Sequence, residues 1–597
     1  MGKTGSWMVK LRHLLPFYRQ HALSFGIGFL LLAATALTTA AIPYVMKLAI
    51  DTLTQPVGQQ ELGYLTLTLI GLALLNAVTR VKARTHIFGI GRRVEYELRK
   101  QYHGKLLELD TPFFNKERTG DLVARGNNDI LAVRMFIGPG FLQISNTAMA
   151  YAVTLPIMIG LDPLLTLLIM APFPIALIAA RYLTRILYRL SRRVADRFGE
   201  LSSFVQETIA GVAVIRAHAR EESWRQRFQT ESQTLYQAHL DHTRLQSLFS
   251  PLVILSGGAG SWILLYYGGK HVAAGTLTVG DFVAFSGYLA ALVWPTVGLG
   301  WILTVLQRGL AALERIGRIL DTAPFLPPAL YQSVAEAPCP RGEGAIHIRH
   351  LSFAFEEQGS PKKVLSDITM EIPAGSFIGL VGRVGSGKSV LLNCLARLYP
   401  IPKGTITLDG RDLMEIPESQ LRQTLIMAPQ ESFLFSATIQ ENIQLGARGE
   451  LSEERAWHVA QQAVFDKEIE TFPKQLQTLV GERGITLSGG QRQRAALARA
   501  LAADPVVLLL DDIFSSVDAH TEARILDNLR DVAKGRTIVM VCHRVAALHN
   551  ADHIYLLDEG EIKAQGSHQQ LLENSSLYQN LHSHMAKEEA LEALQAG

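Results

Sequence analysis

The chain has 597 residues, too many for one hydrophobic core, so it should fold as two or more domains. It carries 57 Lys and Arg against 54 Asp and Glu, a net charge of +3 that gives no reason to expect a nucleic-acid partner. Cys339, Cys394 and Cys542 have no metal-ligand spacing, so neither a disulfide framework nor a zinc site is indicated.

Long uncharged runs fill the first half of the chain. Segment 1–20 mixes basic and apolar residues and predicts a short helix along a membrane surface; we reject a signal peptide because the next apolar run is long enough to span. Each run is near or above the roughly 18 to 20 residues that cross a bilayer, and buried soluble helices do not account for six in this order. The runs are 22–46, 62–79, 135–161, 163–180, 245–269 and 282–307.

Positive charge is concentrated in two of the connecting segments. Segments 80–134 and 181–244 are rich in Arg and Lys, so the positive-inside rule places them and the N-terminus in the cytoplasm. Because they are rich in helix formers, we expect the membrane helices to continue below the bilayer, with short crosswise helices at 111–122 and 201–214. These short helices contain aromatic residues that would pack either on another domain or on neighbouring helices, and the pattern does not decide between the two: Phe113, Phe114 and Phe204.

The second half begins after a proline-rich linker at 321–343 and reads as a soluble domain. Segment 377–392, FIGLVGRVGSGKSVLL, predicts a strand, a glycine turn and a helix, and it fits G-x-x-x-x-G-K-[ST]. In this pattern backbone amides surround phosphate, the lysine reaches the terminal phosphates and the hydroxyl ligates Mg²⁺. The predicted phosphate-binding residues are Gly382, Arg383, Val384, Gly385, Ser386, Gly387, Lys388, Ser389 and Val390.

Other candidate residues surround this loop in the sequence. Phe355 precedes it, where an aromatic ring either stacks on a purine or packs in the core. Apolar segment 506–510 ends in Asp511 and Asp512, and a carboxylate at such a strand end is placed to ligate Mg²⁺. His543 follows another apolar strand, and alone it would be read as structural. A second phosphate-sized cradle opens a helix at 487–501, with Leu487, Ser488, Gly489, Gly490 and Gln491.

On these motifs the chain resembles an ATP-binding cassette exporter half-transporter. The glycine loop matches Walker A, LLLDD matches Walker B and LSGGQ matches the cassette signature. The resemblance further implies a Q-loop at Gln430, a D-loop at Asp518, an H-loop at His543, an aromatic A-loop at Phe355 and an X-loop at 480–484. It implies an α-helical membrane domain of six transmembrane helices (type IV, exporter fold) fused to an α/β P-loop nucleotide-binding domain, with ATP and Mg²⁺ as cofactors.

The resemblance also implies a division of the chain and a partner. The expected domains are a membrane domain at 1–320, the linker at 321–343, a nucleotide-binding domain at 344–580 and a helical tail at 581–597. In this family two cassettes face head to tail, so LSGGQ would serve the partner's ATP and the working unit would be a dimer of half-transporters. Mg²⁺ would be held by Ser389, Gln430 and Asp511, and the catalytic residues would be Asp512, Gln430 and His543.

Asp512 departs from the family pattern, which has glutamate as general base at that position. The shorter side chain predicts a site that binds ATP well and hydrolyses it poorly, as in the degenerate-site chain of heterodimeric bacterial multidrug exporters. A homodimer using Asp512 as base, or a nucleotide-gated channel or regulatory subunit, are the alternatives. The expected function is ATP-driven export of a small hydrophobic or amphipathic drug, lipid or peptide across the cytoplasmic membrane, where the protein would contact membrane lipid but no nucleic acid.

Overall fold

The computed structural model describes residues 15–53, 59–324, 342–357, 360–481, 486–541 and 551–596, with Arg12, Gly484 and His549 as single residues. The chain forms two compact units. The first comprises Met1–Leu107 with Arg118–Thr322, and the second comprises Glu108–Glu117 with Ala323–Gly597. The predicted H-loop residue His543 lies outside the described residues.

Helices account for almost all of the described chain before residue 322. They are α1 (Leu15–Gln20), α2 (Ala22–Leu53), α3 (Gln59–Glu108), α4 (Thr111–Lys116), α5 (Thr119–Ala124), α6 (Ile130–Met135), α7 (Phe141–Leu161), α8 (Pro163–Met170), α9 (Pro172–Ala210), α10 (Val212–Ala217), α11 (Glu221–Ser247), α12 (Phe249–Ile263), α13 (Gly269–Ala273) and α14 (Val279–Asp321). Short π-helical turns at Arg125–Asp129, Phe136–Gly140 and Leu264–Gly268 connect some of them.

Five of the described helical segments are long and apolar enough to cross a membrane: Ala22–Leu53, Gln60–Glu108, Thr119–Leu161, Pro163–Ala210 and Val279–Thr296. They contain or overlap five of the six predicted runs. The remaining run, 245–269, is helical apart from a turn at Leu248, and from Phe249 it continues through the π-helical turn Leu264–Gly268 into α13.

A buried amide joins two of the apolar helices. The Asn76 amide on α3 is buried and donates to the hydroxyls of Thr38 (2.8 Å) and Thr39 (2.7 Å) and to the carbonyl of Thr35 on α2 (3.0 Å). An unpaired amide in hydrocarbon would be costly, so these bonds fix how α2 and α3 face each other.

The two short crosswise helices have different outcomes. The segment 111–122 contains a short helix only in its first half, α4, which Asp110 caps by accepting a hydrogen bond from the Phe113 amide at 3.2 Å; an extended break at Glu117 and Arg118 separates it from α5. The prediction at 201–214 was wrong in position, because α9 runs unbroken to Ala210 and the short helix is α10, after Gly211. Nothing in 201–210 stops a helix, whereas glycine weakens one.

Phe204 packs locally, which was one of its two predicted environments. Its ring is buried and stacks on Trp224 with centroids 6.4 Å apart, while the Arg227 guanidinium lies 5.1 Å from the ring. The contact holds α9 against α11 below the apolar segments. Phe113 and Phe114 instead lie edge to face on α4, 5.4 Å apart.

An ion pair between Asp129 and Arg315 yields a stability prediction. Arg315 donates to both carboxylate oxygens of Asp129, at 2.6 and 2.8 Å, and the Asp129 side chain is nearly buried while Arg315 is half exposed. Asp129→Asn is therefore expected to lower the free energy of unfolding by about 1–2 kcal/mol, below the full value for a buried pair. Thermal unfolding in detergent measures this. Glu222→Gln, which removes an exposed pair with Arg225, is the control and should cost less than about 0.5 kcal/mol; equal losses would contradict the prediction.

The second unit contains two sheets. The strands are β1 (Ile346–Glu357), β2 (Ser360–Ile372), β3 (Phe377–Val381), β4 (Ile406–Leu408), β5 (Arg411–Asp412), β6 (Leu425–Ala428), β7 (Val507–Leu510), β8 (Thr537–Val541), β9 (His553–Asp558) and β10 (Glu561–Gly566). Four form an antiparallel sheet, β2-β1-β4-β5, and six form a sheet ordered β10-β9-β3-β8-β7-β6. Strands β6, β7, β8, β3 and β9 run parallel, so their carboxyl ends meet at one edge.

The helices of the second unit cover these sheets. They are α15 (Lys388–Leu395), α16 (Glu418–Thr424), α17 (Ile439–Gln444), α18 (Glu453–Gln462), α19 (Asp466–Thr471), α20 (Gly489–Ala502), α21 (Ala519–Ala533), α22 (His568–Asn574) and α23 (Ser576–Ala596). The expected division at residue 581 falls inside α23, whose Tyr578 and Met585 are buried in the core of this unit.

Candidate functional site

The glycine loop lies between β3 and α15. Strand β3 is fully buried, and the loop leaves its carboxyl end. Gly382 and Gly387 have φ of 154° and 104°, and a Cβ at Gly382 would collide with the Leu557 carbonyl. Only glycine satisfies both requirements at that position. The backbone therefore curls tightly before α15 begins at Lys388, as the sequence predicts.

Lys388 is directed back over this loop. Its ammonium donates to the carbonyls of Gly382 and Arg383, both at 2.8 Å, and its side chain is buried. Burial lowers the pKa of Lys388, although the Asp511 and Asp512 carboxylates oppose that shift. A buried cation held by two carbonyls is suited to exchange them for phosphate oxygens.

The rest of the loop provides a cradle of the right chemistry for an anion. The Ser386 hydroxyl is buried and has no hydrogen-bond partner among the described residues. Val384 is 95% exposed at the tip beside Arg383 and Gly385, and Val390 lies half-buried on α15. An orphaned buried hydroxyl next to a buried ammonium fits an absent phosphate group.

Two carboxylates at the end of β7 complete this site. The Ser389 hydroxyl donates to Asp511 at 2.9 Å, and burial raises the pKa of Asp511. The Gln430 amide, just beyond β6, donates to Asp512 at 3.0 Å. Hydroxyl, carboxylate and amide oxygens are the ligands that Mg²⁺ prefers, so the predicted metal residues fit that ion. Three separate parts of the chain are thus brought to one edge of the sheet.

The backbone of Asp512 has an unusual conformation. Its φ is +45°, in the left-handed region that aspartate enters more readily than most residues. The side chain therefore leaves the strand end sharply and turns toward Gln430. The residue that departs from the family pattern thus also has a left-handed backbone conformation.

The signature segment forms a cradle of its own at the start of α20. Ser488 caps the helix by accepting from the Gln491 amide at 3.2 Å, and Gln491 returns a bond by accepting from the Ser488 amide at 3.0 Å. Leu487 and Gly490 are buried beneath, and a Cβ on Gly490 would lie 2.7 Å from the Ser516 carbonyl, so glycine allows this close approach. Ser488 is exposed, and no hydrogen bond between described residues joins this cradle to the glycine loop.

Sequence reasoning missed the residue that links the signature helix to the segment after β7. Gln493 is buried, donates to the Ser515 hydroxyl at 2.7 Å and accepts from the Ser516 amide at 3.0 Å. Asp518 follows as the N-cap of α21, where hydrogen bonding from the Thr521 amide lowers its pKa. The available signal was a polar residue, Gln493, on the face of α20 that is otherwise lined mainly by small apolar residues, because a buried amide needs hydrogen-bond partners.

Phe355 belongs to an aromatic cluster. It lies edge-on to Phe353 and Tyr399, with ring centroids 5.1 and 5.5 Å away, and is half-buried against the core. Its exposed part remains compatible with a stacked base. Tyr399, whose role the sequence did not suggest, stacks on Phe353 at 5.3 Å.

Comparisons with known proteins agree with this geometry. Residues 25–296 match the family model of the ABC transporter transmembrane region, and residues 365–515 match that of the ABC transporter. A probable multidrug resistance ABC transporter ATP-binding/permease protein of Bacillus subtilis is 35% identical over 577 residues, 95% of this chain and 96% of that protein. A multidrug resistance-like ATP-binding protein of Escherichia coli is 30% identical over 566 residues, 94% of each.

Lipid transporters and a solved structure are also similar. An ATP-dependent lipid A-core flippase of Syntrophus aciditrophicus is 29% identical, covering 97% of this chain and 95% of the flippase. The structure of a bacterial Atm1-family ABC exporter with ATP bound superposes with a TM-score of 0.75 and 25% identity, over 94% of this chain and 98% of the other. The chain therefore belongs to the ABC transporter family, as an ATP-using exporter whose helical membrane domain and nucleotide-binding domain are fused in one polypeptide.

Proposed function

We propose that this exporter works as one half of a dimer that moves small hydrophobic or amphipathic compounds out across the cytoplasmic membrane, with its N-terminus and nucleotide-binding domain in the cytoplasm. The names of its relatives, which refer to multidrug resistance and to lipid A-core flipping, support this class of cargo. The separate cradle at Ser488 supports the dimer, because one chain has no use for two phosphate cradles unless the second serves another nucleotide.

Asp512 is the observation from which we infer that the partner is a different half-transporter. Its carboxylate is one methylene shorter than the family's glutamate, and it is hydrogen-bonded to Gln430. A catalytic group displaced by about 1 Å can lose on the order of a hundredfold in rate. We take this chain's own site to be weakly hydrolytic and its LSGGQ to complete the efficient site of a different half-transporter carrying glutamate.

The remaining residues have roles that follow from their chemistry. Lys388 and the loop amides bind the phosphates, Phe355 contacts the base, and Ser389, Asp511 and Gln430 hold Mg²⁺, which supplies charge neutralisation between the phosphates. His543 and Asp518 assist at the terminal phosphate and at the contact between cassettes. Closing of the cassettes on ATP would then drive an alternating-access change in the membrane domain.

ATP-driven uptake into inside-out vesicles tests the function. Vesicles containing the exporter with its glutamate-bearing partner are expected to accumulate a fluorescent amphiphilic dye when ATP and Mg²⁺ are added, and vesicles in which this chain carries Ser488→Arg are not. Equal accumulation by both would contradict transport coupled to the nucleotide at the Ser488 cradle. Passive ion conductance gated by ATP, without dye uptake, would instead identify a channel.

A further inference from the structure

Three aromatic rings meet where strand β1 packs against the segment that follows α15. Phe353 and Tyr399 are each 8% exposed and stack on each other, with ring planes 13° apart. Phe355 is half-buried and stands nearly perpendicular to both rings, at 89° to Phe353 and 86° to Tyr399. Because the attraction between perpendicular rings depends on their relative orientation, these two contacts fix the plane of the Phe355 ring.

The backbone that carries Tyr399 is itself anchored. Two residues before it, Arg397 has φ of +49° and is buried, and its guanidinium donates to the carbonyls of Leu413 at 2.6 Å and Ile416 at 2.5 Å. Helix α15, which begins at Lys388 of the phosphate loop, ends just ahead of this segment. One end of α15 therefore leads to the phosphate-binding lysine, and the other leads to a ring that holds Phe355.

Tyr399 also contacts helix α4. Its hydroxyl accepts a hydrogen bond from the Asn115 side chain, which opposes the rise in the pKa of Tyr399 that burial causes. Asn115 lies in Glu108–Glu117, the segment that belongs to the same compact unit as Tyr399. Glu108 is also the last residue of α3, which is long and apolar enough to cross a membrane. One hydroxyl thus joins the aromatic cluster to a segment that continues in sequence into a membrane helix.

Packing alone does not explain both groups of the Tyr399 side chain. A phenyl ring would supply the stack on Phe353 and the perpendicular contact with Phe355. The hydroxyl adds nothing to those contacts, and burying a hydroxyl is costly unless it is hydrogen-bonded. Its bond with Asn115 offsets that cost, so the ring and the hydroxyl of Tyr399 serve different neighbours.

We propose that Tyr399 is a positioning residue for the nucleotide base: its ring orients Phe355 against the purine, and its hydroxyl connects that ring to α4 through Asn115. Occupancy of this chain's own site is then sensed at a segment continuous with α3, even though the site hydrolyses ATP weakly. Because linkage is reciprocal, a displacement of α4 changes the affinity for the base in turn. The inference rests on the contact between Phe355 and the base, which is part of the proposed function.

Nucleotide binding separates positioning from packing. The full-length chain in nanodiscs is titrated with the non-hydrolysable ATP analogue AMP-PNP and with tripolyphosphate, which has no base, each with Mg²⁺. Tyr399→Leu is expected to raise the Kd of AMP-PNP by about two- to tenfold, the range that one aromatic pair supplies, and to leave the Kd of tripolyphosphate unchanged. Tyr399→Phe keeps the ring and should bind both as the unchanged chain does, whereas Lys388→Ala should weaken the binding of both.

Hydrogen–deuterium exchange measures the connection to α4. In the unchanged chain, saturating AMP-PNP is expected to slow exchange of the amides in 108–117 by about two- to fivefold, the range that one neutral hydrogen bond supplies. Tyr399→Phe and Asn115→Ala should bind AMP-PNP and lose this slowing. The matched control is Tyr555→Phe, which removes a buried hydroxyl that donates to the Glu371 carbonyl at 2.8 Å in the same unit and should keep the slowing.

The outcomes that contradict each part are distinct. Equal weakening of AMP-PNP and tripolyphosphate by Tyr399→Leu would make Tyr399 a packing residue and overturn the positioning role. Slowing in 108–117 that survives Tyr399→Phe would overturn the connection to α4. Phe355→Ala separates these results from a failure of the proposed function. If it weakens AMP-PNP binding and Tyr399→Leu does not, the positioning role alone is refuted; if it leaves AMP-PNP binding unchanged, the base contact assigned to Phe355 is refuted as well.

Discussion

Asp512→Glu is expected to raise the ATP turnover of the purified chain by about ten- to a hundredfold, because it restores a carboxylate at the reach that the family uses for the general base. The substitution is also expected to lower thermal stability slightly. Residue 512 has φ of +45°, a conformation that aspartate tolerates better than glutamate. A rise in rate together with a small loss of stability would separate a catalytic effect from general improvement of the fold.

Phosphate release under saturating ATP measures this turnover. Asp512→Asn is the matched control, since it keeps the length of the side chain and removes its basicity, and its rate should fall below that of the unchanged chain. The double variant with Lys388→Ala should lose the gain. If the unchanged chain already hydrolyses ATP as fast as Asp512→Glu does, Asp512 is an adequate base and the homodimeric alternative is favoured.

Ser488→Arg is expected to abolish ATP hydrolysis by the complex with a glutamate-bearing partner, with a loss of about a hundredfold or more, as for removal of a preorganised donor from a catalytic site. Lys388→Ala in the same complex should cost only a few-fold. Under the proposed pairing the contrast arises because Ser488 would serve the partner's efficient site, whereas Lys388 would serve the weakly hydrolytic site of this chain. Measuring both variants against the same partner cancels differences in preparation.

The control for the signature variant addresses the fold of α20. Ser488 is its N-cap, and loss of that cap costs about 1 kcal/mol, so Ser488→Thr, which keeps a capping hydroxyl, should retain most activity. Equal losses from Ser488→Arg and Lys388→Ala would indicate two equivalent sites, and therefore contradict the asymmetric pairing.

Local patterns made the core of the nucleotide site predictable. Gly382, Lys388 and Ser389 are close in sequence, and their geometry depends on a strand, a turn and a helix that the sequence itself encodes. Asp511 was predictable because it is the first charged residue after a short, uninterrupted apolar run, which is the pattern of a fully buried strand and its end. The long apolar runs were predictable for a similar reason, since the bilayer requires a minimum length.

Features that depend on distant residues were not predictable. The bonds from Gln493 to Ser515 and Ser516 join segments about twenty residues apart, and nothing local marks that glutamine's partners. The packing of Phe204 on Trp224 requires α9 and α11 to turn back on each other, and the chain leaves α9 only at Gly211, well inside the segment where the short helix was expected. The aromatic contacts of Tyr399 likewise could not be predicted, because Phe353 and Phe355 are distant from it in sequence and lie beside it only in the folded chain.

The second unit is assembled from two segments that are far apart in the chain, and this affects when it can fold during synthesis. Residues Glu108–Glu117 belong to it, although they leave the ribosome long before Ala323–Gly597. Within this unit Tyr399, whose pKa burial raises, is hydrogen-bonded by the Asn115 side chain. A nucleotide-binding domain produced alone from residue 344 would thus lack a piece of its own compact unit, whereas the growing chain must keep that piece available until translation ends.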